Sequence, residues 1–452
     1  MRNWRSVLGM VLLVVLLVSF AAPASAQAQP TAITQTQALT LALQQNQQLR
    51  VAAFEVLVAR AQLAQARAGT ALQASVQGSY TRTQDGVVTT IPVSSSPGGS
   101  GPPVGYLIIP APSSNVYDAR VVLQYPLYSG GRIEAQVAMA QANLRGAEAT
   151  FERVKQQIVF GVRQAYFSLL LAQAGLRAAE HSTTQANEIL RVAKARVATG
   201  VSPRFDQVQA EVSVATAQQT QVRARNAVAQ AMQGLNAFLN LPLETPLMLP
   251  DPFAMTSVAT SIDRLLARAL EVRSEVLEVR ARQATAQAAI EVAESGGRLN
   301  FGLSGMYDYG NSGPFGPGTD LSSRWSVTLA ATLSVADGGL TRERVTEARQ
   351  RLEQLKVLEA QQRQTVELDV RQAYLNLQSA REELVGAGAL VAQAAEALRL
   401  ANVRFAAGVG TNLEVVSAQT ASSQAEVAKA QAEFNYSVAR AALEHAVGEA
   451  VQ

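Results

Sequence analysis

Two long stretches of the chain repeat apolar or small side chains at alternating spacings of four and three residues. This spacing is that of a coiled-coil seam. The first stretch lies in a proline-free run from Arg132 to Thr199, which at about 1.5 Å per residue predicts a helix of roughly 100 Å, and the second stretch is expected to match it. One seam position in each heptad is nearly always alanine, which lets helix axes approach closely. The positions are Ile158, Val162, Ala165, Leu169, Ala172, Leu176, Ala179, Thr183, Ala186, Leu190, Ala193 and Val197 in the first stretch, and Val366, Val370, Ala373, Leu377, Ala380, Leu384, Ala387, Val391, Ala394, Leu398, Ala401 and Phe405 in the second.

Each long helix runs into a glycine-centred break, in the segments RVATGVSPRFDQVQAE and RFAAGVGTNLEVVSAQ. Gly200 and Gly408 are expected to end the helices, because glycine adopts the left-handed conformation of a helix C-terminus without steric cost. Ser202 and Thr411 are predicted to cap the helices that follow. Each segment is therefore interpreted as the tip of an antiparallel helical hairpin. The alternative is a kink inside one continuous helix, which Pro203 argues against.

Between the helical stretches, four segments of roughly ten to twelve residues alternate apolar with mostly polar side chains, which is the length that a tilted strand needs to cross a bilayer. They begin at Leu72, Tyr117, Leu299 and Trp325. Tyr80, Tyr307 and Trp325 are expected near strand ends, where interfacial aromatic residues belong. The alternative interpretation is a half-buried sheet in a soluble sandwich.

The sequence is internally duplicated. GGRIEAQ at 130 matches GGLTRER at 338, and VRQAYFSLL at 162 matches VRQAYLNLQ at 370, at the same spacing that relates the two tips. We expect two repeats, 29–240 and 261–452, joined by a proline-containing linker at 241–260. Each repeat is predicted to hold a helix, a β-hairpin (71–128 or 298–335) and a long helical hairpin (131–240 or 338–449). Extra residues in the first repeat, Val93 to Ser114, are rich in Pro, Gly and Ser and are expected to form a loop.

The N-terminus has the pattern of a secretory signal peptide over residues 1–28. Arg2 and Arg5 precede an apolar core from Val11 to Phe20, and small residues at 24–28 fit the cleavage rule. The mature chain is expected to begin between Gln27 and Gln29, and a retained N-terminal anchor is the alternative. No later stretch approaches 18 consecutive apolar residues, so any membrane crossing should use strands rather than a helix.

The composition excludes several classes of function. The chain has no cysteine and two histidines, His181 and His445, so we expect no metal cluster, no cysteine nucleophile, no cofactor and no enzyme activity. Both histidines are expected to be surface or packing residues. The formal net charge is +3 without a like-charge run, which gives no electrostatic support for nucleic-acid binding.

Four strands would leave two open edges, and an edge exposed to lipid is not tolerated. Two chains would supply about eight strands, and the side chains inside so small a barrel would plug it. Three chains would supply about twelve strands and leave a water-filled lumen. A conduit therefore favours a homotrimer. The predicted fold is mainly α with membrane β: a long antiparallel coiled-coil α-helical barrel plus a trimeric 12-stranded transmembrane β-barrel with four strands per chain.

In this order, and duplicated, the motifs resemble the TolC-type outer-membrane efflux proteins. The resemblance covers essentially the whole mature chain and rests on its opening helix, the corners YSGGR and ADGGLTR, VRQAY at both positions and the two tip segments. It implies a homotrimer in outer-membrane lipid with a helical tunnel through the periplasm, and passive export. It also implies two partners that dock on the tunnel tip, a periplasmic membrane-fusion adaptor and an inner-membrane pump of RND, ABC or MFS type.

The resemblance also implies roles at the tips. Gly200, Val201, Gly408 and Val409 match the turns that adaptors grip. Asp206 and Glu414 match acidic positions that narrow the tunnel mouth, although they can equally be solvated first-turn acids that complete the helix dipole. Some relatives carry a basic residue after the second turn, at the position that Gly410 occupies here. An ion pair that closes the tip would therefore need another cation. The candidates are Arg204, Arg196 and Arg404, and Phe405 is grouped with this gate.

Two other classes stay open on the sequence. A periplasmic coiled-coil adaptor or scaffold protein would have one helical hairpin and soluble β-domains. A stand-alone porin-like barrel would need many more strands in each chain.

Overall fold

The computed structural model describes residues 31–82, 89–94, 103–109, 115–250, 252–253, 261–313 and 316–449, and the predicted signal peptide lies outside them. The helices are α1 (Gln35–Gln45), α2 (Gln47–Ala68), α3 (Arg132–Ala198), α4 (Arg204–Leu239), α5 (Ile262–Val272), α6 (Ser274–Glu294), α7 (Leu340–Ala406) and α8 (Asn412–Val447). The strands are β1 (Thr31–Ala32), β2 (Gln73–Arg82), β3 (Thr89–Ser94), β4 (Pro103–Ile109), β5 (Asn115–Tyr128), β6 (Leu247–Met248), β7 (Asn300–Gly313) and β8 (Gly316–Thr332).

The long helices have matching lengths in the two halves of the chain. Helices α3 and α7 each contain 67 residues, and α4 and α8 each contain 36. The strand-to-helix corners also match, because each uses two consecutive glycines with positive φ. The angles are 65° and 88° at Gly130 and Gly131, and 67° and 91° at Gly338 and Gly339.

The predicted first helix of each half is broken in two. Asn46, in an extended conformation, separates α1 from α2, and Arg273, which is also non-helical, separates α5 from α6. The Asn46 side chain accepts hydrogen bonds from the amides of Gln48 and Leu49, so it caps α2. The Arg273 guanidinium instead donates to the carbonyl oxygens of His445 and Ala446, at 2.9 and 3.0 Å. A buried cation therefore satisfies the last carbonyls of α8.

The chain divides into two compact units. The first contains Glu152–Arg273, Gln364–Gln452 and the described part of the first 52 residues, and so holds both helical tips. None of the predicted seam positions is exposed in it, which confirms the coiled-coil seam. Its largest fully buried side chains include Tyr166, Leu169, Leu235 and Leu443.

The second unit contains Ala53–Phe151 and Ser274–Arg363, and it holds a four-stranded antiparallel sheet in the order β2–β5–β7–β8. Within the described residues, β2 pairs only with β5 and β8 pairs only with β7, so both outer edges are open. The strands are 10, 14, 14 and 17 residues long, and three of them exceed the predicted length. Tyr307 and Trp325 consequently lie directly opposite each other inside β7 and β8. Their predicted position near strand ends was wrong.

The strand register separates the sheet into one apolar and one polar face, because residues that pair across strands share a face. The apolar face carries Ala74, Val76, Tyr80, Tyr117, Ala119, Val121, Leu123, Leu303, Tyr307, Trp325, Val327 and Leu329. The polar face carries Gln73, Ser75, Gln77, Ser79, Asp118, Arg120, Val122, Gln124, Ser304, Met306, Asp308, Arg324, Ser326 and Thr328. The alternation predicted for each strand is thus carried across the whole sheet.

The described parts of the extra segment in the first repeat form strands, although a loop was predicted. Strands β3 and β4 form an antiparallel hairpin, with Thr89 opposite Ile109 and Ile91 opposite Leu107. The expectation of a loop over Val93 to Ser114 was therefore wrong for β4 and the end of β3. The β-branched and aromatic residues of TTIPV and YLII favour strands, and the Pro/Gly/Ser content that suggested a loop is concentrated between them.

One helix also departs from the expectation that no mature helix could span a membrane. By length and composition, α7 contains an 18-residue stretch that is apolar enough to cross a membrane, and 11% of that stretch is buried within one chain. A single helix of this kind is weak support for a membrane span. The stretch belongs to a helix whose predicted seam residues are covered within the same chain.

The close approach of β5 and β7 depends on a glycine. A Cβ at Gly310 would overlap the carbonyl oxygen of Tyr117 on β5, whereas a Cβ at Gly302 in the same strand would meet nothing within 4 Å. We expect Gly310→Ala to lower the stability of the sheet by about 1–3 kcal/mol, as overpacking usually does. Gly302→Ala is the matched control and should cost nothing, since alanine is less flexible than glycine in the unfolded chain.

The measurement is the thermal unfolding midpoint of the detergent-solubilised protein, followed by circular dichroism at a β-sheet wavelength. Equal midpoints for the two variants would contradict the inferred role of Gly310.

Candidate functional site

The first candidate site is formed by the two helical tips. Gly200, at φ 76°, follows the end of α3, and Gly408, at φ 79°, follows the end of α7, as predicted. The amide of Val201 donates to the carbonyl of Arg196 at 2.9 Å, and the amide of Val409 donates to the carbonyl of Arg404 at 3.1 Å. The two tips therefore close with the same hydrogen-bond pattern.

The helices that leave the tips begin differently. Thr411 caps α8 in a full capping box, since its hydroxyl accepts from the amide of Glu414 and the Glu414 carboxylate accepts from the amide of Thr411. At the first tip, Pro203 occupies the N-cap position and no side chain caps α4. The prediction of Ser202 as a cap was wrong. Proline fixes φ for helix entry and occupies the position that the serine would need.

One contact joins the two tips of a chain. The guanidinium of Arg196, at the end of α3, lies 4.0 Å from the ring centroid of Phe405, at the end of α7. Its Nη2 also donates to the carbonyl oxygen of Phe405 at 3.5 Å. A cation over an aromatic ring is worth about 0.5–1 kcal/mol at an exposed site. The structure thus links two of the predicted gate residues.

A second contact lies within the second tip. Arg404 Nε donates to Glu414 Oε2 at 3.3 Å. The pKa of Glu414 is lowered below its ordinary value, first by the hydrogen bond from the Thr411 amide and second by Arg404. The carboxylate is therefore held in its charged form by its own helix cap and by a neighbouring cation. Of the three candidate cations for a tip ion pair, Arg404 is the one that pairs with a tip acid in the described part of the chain.

The other predicted tip residues have fewer contacts. Asp206 is half-buried in the first turn of α4, and among the described residues the structure records no ion pair for it or for Arg204. A Cβ at Gly410 would lie 3.0 Å from both the Cβ of Arg404 and the backbone nitrogen of Phe405. A basic side chain at this position would therefore crowd the tip, which is consistent with its replacement by glycine.

Large apolar side chains are exposed at both tips. Val201 is 73% exposed and Val409 is 69% exposed, at matching positions of the two turns. Phe205 and Leu413, which follow the turns, are exposed as well. Apolar side chains that project from two adjacent turns are typical of a protein–protein contact.

A second candidate site lies on the polar face of the sheet, and the sequence did not predict it. Arg120 of β5, Asp308 of β7 and Arg324 of β8 are directly opposite one another in the register. Arg324 Nη2 donates to Asp308 Oδ2 at 2.7 Å, and Arg120 Nη2 donates to Asp118 Oδ2 at 3.2 Å. We call Asp118, Arg120, Asp308 and Arg324 the Arg–Asp row. It could have been found only from the strand register, which brings residues distant in sequence side by side.

No group of three or more His, Asp or Glu side chains within the described ranges is arranged to hold a metal ion. His181 is exposed, and His445 packs against Phe160 with ring centroids 5.3 Å apart. Both positions agree with the surface or packing roles predicted for them.

The sequence matches a known family over most of its length. The model of the family described as "Outer membrane efflux protein" covers residues 38–241 and 265–449. Protein CyaE of Bordetella pertussis is 28% identical to the chain over 306 residues, which is 66% of this chain and 64% of that protein. The aligned part thus spans less than two thirds of this relative.

Solved structures share the fold. A membrane protein from Pseudomonas aeruginosa has a TM-score of 0.76 at 22% identity, with 92% of this chain and 90% of that chain covered. The outer membrane protein VceC from Vibrio cholerae has a TM-score of 0.73 at 19% identity, with coverages of 92% and 97%. At these identities the likeness concerns the fold, and it confirms the predicted TolC-like architecture of long helices with a β-domain. Because the family model matches both halves of the sequence, the chain belongs to the outer membrane efflux protein family and is a protein of the outer membrane.

Proposed function

We propose that the chain is the exit duct of a tripartite efflux or type I secretion system, through which substrates leave the periplasm passively. The observation that carries this proposal is the four-stranded sheet with one apolar face, one polar face and two open edges. Such a sheet fits a bilayer only when its edges are paired, because unpaired backbone groups are costly in lipid.

Three chains meet this requirement best. Twelve strands close a barrel with an open lumen, whereas eight give a barrel that its own side chains fill. The helices support the same assembly, since they leave large apolar side chains exposed in one chain. These include Val51, Phe54, Val58, Val212, Val222, Val357, Leu368, Leu375 and Val385. Neighbouring copies would cover them in a tube of helices.

The tips are proposed to hold the docking surface and the gate. Gly200 and Gly408 shape the two turns, and Val201 and Val409 present apolar side chains that a periplasmic membrane-fusion adaptor would cover. Family members work with such an adaptor and an inner-membrane pump, and the pump class (RND, ABC or MFS) is left open. Arg196, Phe405, Arg404, Glu414 and Asp206 would narrow the mouth.

Residues 1–28 are removed as a signal peptide, 29–240 and 261–452 form two structural repeats, and 241–260 link them. The duct carries out no reaction and holds no cofactor. The adaptor alternative is disfavoured, because two bilayer-length strand pairs and two helical hairpins are more than an adaptor requires.

The test uses purified mature protein in planar lipid bilayers. We expect discrete channels, and a mass in detergent of three chains. Val201→Asp/Val409→Asp should leave this conductance unchanged but abolish export in cells of the native strain, because the charges face the adaptor and not the pore.

A soluble monomer without channel activity would overturn the proposal. Normal export by the valine variant would overturn only the docking surface. The matched variant Val201→Leu/Val409→Leu, which keeps the surface apolar, should export normally.

A further inference from the structure

The Arg–Asp row carries charge on a face whose neighbouring side chains are polar but uncharged. Its neighbours on the polar face are uncharged, such as Gln77, Ser304 and Thr328. Four charged groups nevertheless meet here from three adjacent strands. Asp308 lies between the two guanidinium groups, with Arg324 at 2.7 Å and the Nε of Arg120 at 3.9 Å from its carboxylate oxygens.

The orientation of the row rests on the proposed function. In a membrane barrel the apolar face contacts lipid and the polar face lines the lumen. The face opposite the row carries Trp325, Val327 and Leu329, all of them exposed. The row therefore points into the water-filled channel, and three copies would place six arginines and six aspartates at one level of the barrel.

The charges of the row are not equally accessible. The side chains of Arg120 and Arg324 are 38% and 41% exposed, whereas that of Asp308 is 2% exposed and that of Asp118 is 15% exposed. A solute in the lumen would therefore meet guanidinium groups first, although the formal charges cancel. The carboxylates beneath hold the guanidinium groups in place, and arginine binds carboxylate, sulfonate and phosphate groups through paired hydrogen bonds.

We infer that the Arg–Asp row forms a ring of guanidinium groups inside the barrel that attracts anionic solutes and favours anions over cations at this level of the channel.

A purely structural role is the competing explanation, since the same ion pairs would fix the register of β5, β7 and β8. The two explanations differ in what lysine can replace. Lysine keeps the positive charge in the lumen but loses the forked geometry of arginine. A register clamp would be weakened by either change, whereas anion preference would survive the change to lysine.

The experiment measures the chloride-to-potassium permeability ratio of single channels under a KCl gradient in neutral planar bilayers. We expect Arg120→Gln/Arg324→Gln to lower this ratio by about two-fold or more, and Arg120→Lys/Arg324→Lys to retain it. The four-site variant Asp118→Asn/Arg120→Gln/Asp308→Asn/Arg324→Gln avoids unpaired buried carboxylates, so it should fold. It should lower the ratio as well, even though its formal charge equals that of the wild type.

The outcomes separate this inference from the proposed function. Channels whose permeability ratio is the same in the wild type and in the four-site variant would overturn the anion ring and leave the conduit intact. A ratio that falls equally in the lysine variant would also overturn it, in favour of the register clamp. If the wild-type protein forms no channels, the conduit itself fails, and the ring fails with it.

Discussion

Val327→Arg is expected to abolish folding and assembly of the proposed trimer in the outer membrane. Val327 is 65% exposed on the apolar face of β8, between Trp325 and Leu329. An arginine that faces lipid near the middle of a membrane strand costs about 2–4 kcal/mol, and a trimer carries three of them. That total is comparable with the whole stability of many folded proteins, which is about 5–15 kcal/mol. The measurement is the amount of heat-modifiable trimer in outer-membrane fractions.

The adjacent residue provides a matched control for this substitution. Ser326 lies opposite Met306 on the polar face, so Ser326→Arg adds the same side chain to the same strand but directs it into the lumen. This variant should assemble at close to wild-type levels. If both variants assembled equally, neither face would be in contact with lipid, and the alternative of a soluble sheet would regain support.

The helical part of the fold was the easiest to predict, because it repeats a simple pattern over many turns. Seam residues such as Val162 and Val370 recur at coiled-coil spacing, and both are fully buried. The tip glycines were predictable for a similar reason, since few other residues adopt a positive φ at low cost. The sequence therefore established the long helices, their ends and their duplication.

The incorrect predictions concern positions where a helix can break or be capped in more than one way. Asn46 and Arg273 break helices that look continuous in sequence, because a side-chain cap in one case and a buried guanidinium in the other stabilise the break. Ser202 was preferred as a cap by its chemistry, but Pro203 starts the helix. These choices depend on individual side-chain contacts and on proline geometry, which periodicity does not report.

The charged part of the sheet could not be predicted for a geometric reason. Asp308 and Arg120 belong to different halves of the sequence, and they meet because β5 pairs with β7 in one particular register. A shift of that register by one residue would move one strand's side chains to the opposite face. The alternation within each strand was predictable, but the pairing of charges between strands was not.

The tip contacts indicate which interaction would restrain opening of the proposed gate. Glu414 is engaged by its own helix cap and by Arg404 of the same tip. Neither contact ties one hairpin of the chain to the other. Arg196 does so, because it lies over the Phe405 ring and also donates to its carbonyl oxygen. The contact between α3 and α7 is thus the better candidate for a restraint on opening.

Arg196→Ala and Phe405→Ala are therefore each expected to raise single-channel conductance by about two-fold or more, because loosening this pair lets the tips separate at a narrow constriction. The double variant should add little to either single variant, since both remove one shared contact.

Asp206→Ala/Glu414→Ala should raise conductance independently, by removing acids from the mouth, and should combine additively with Arg196→Ala. Conductance in planar bilayers tests all of these variants, with Arg191→Ala as a control five residues away on the exposed surface of α3. Unchanged conductance in Arg196→Ala and Phe405→Ala would show that the contact is incidental to gating, and unchanged conductance in Asp206→Ala/Glu414→Ala would leave the acids as helix-terminal residues without a role in the gate.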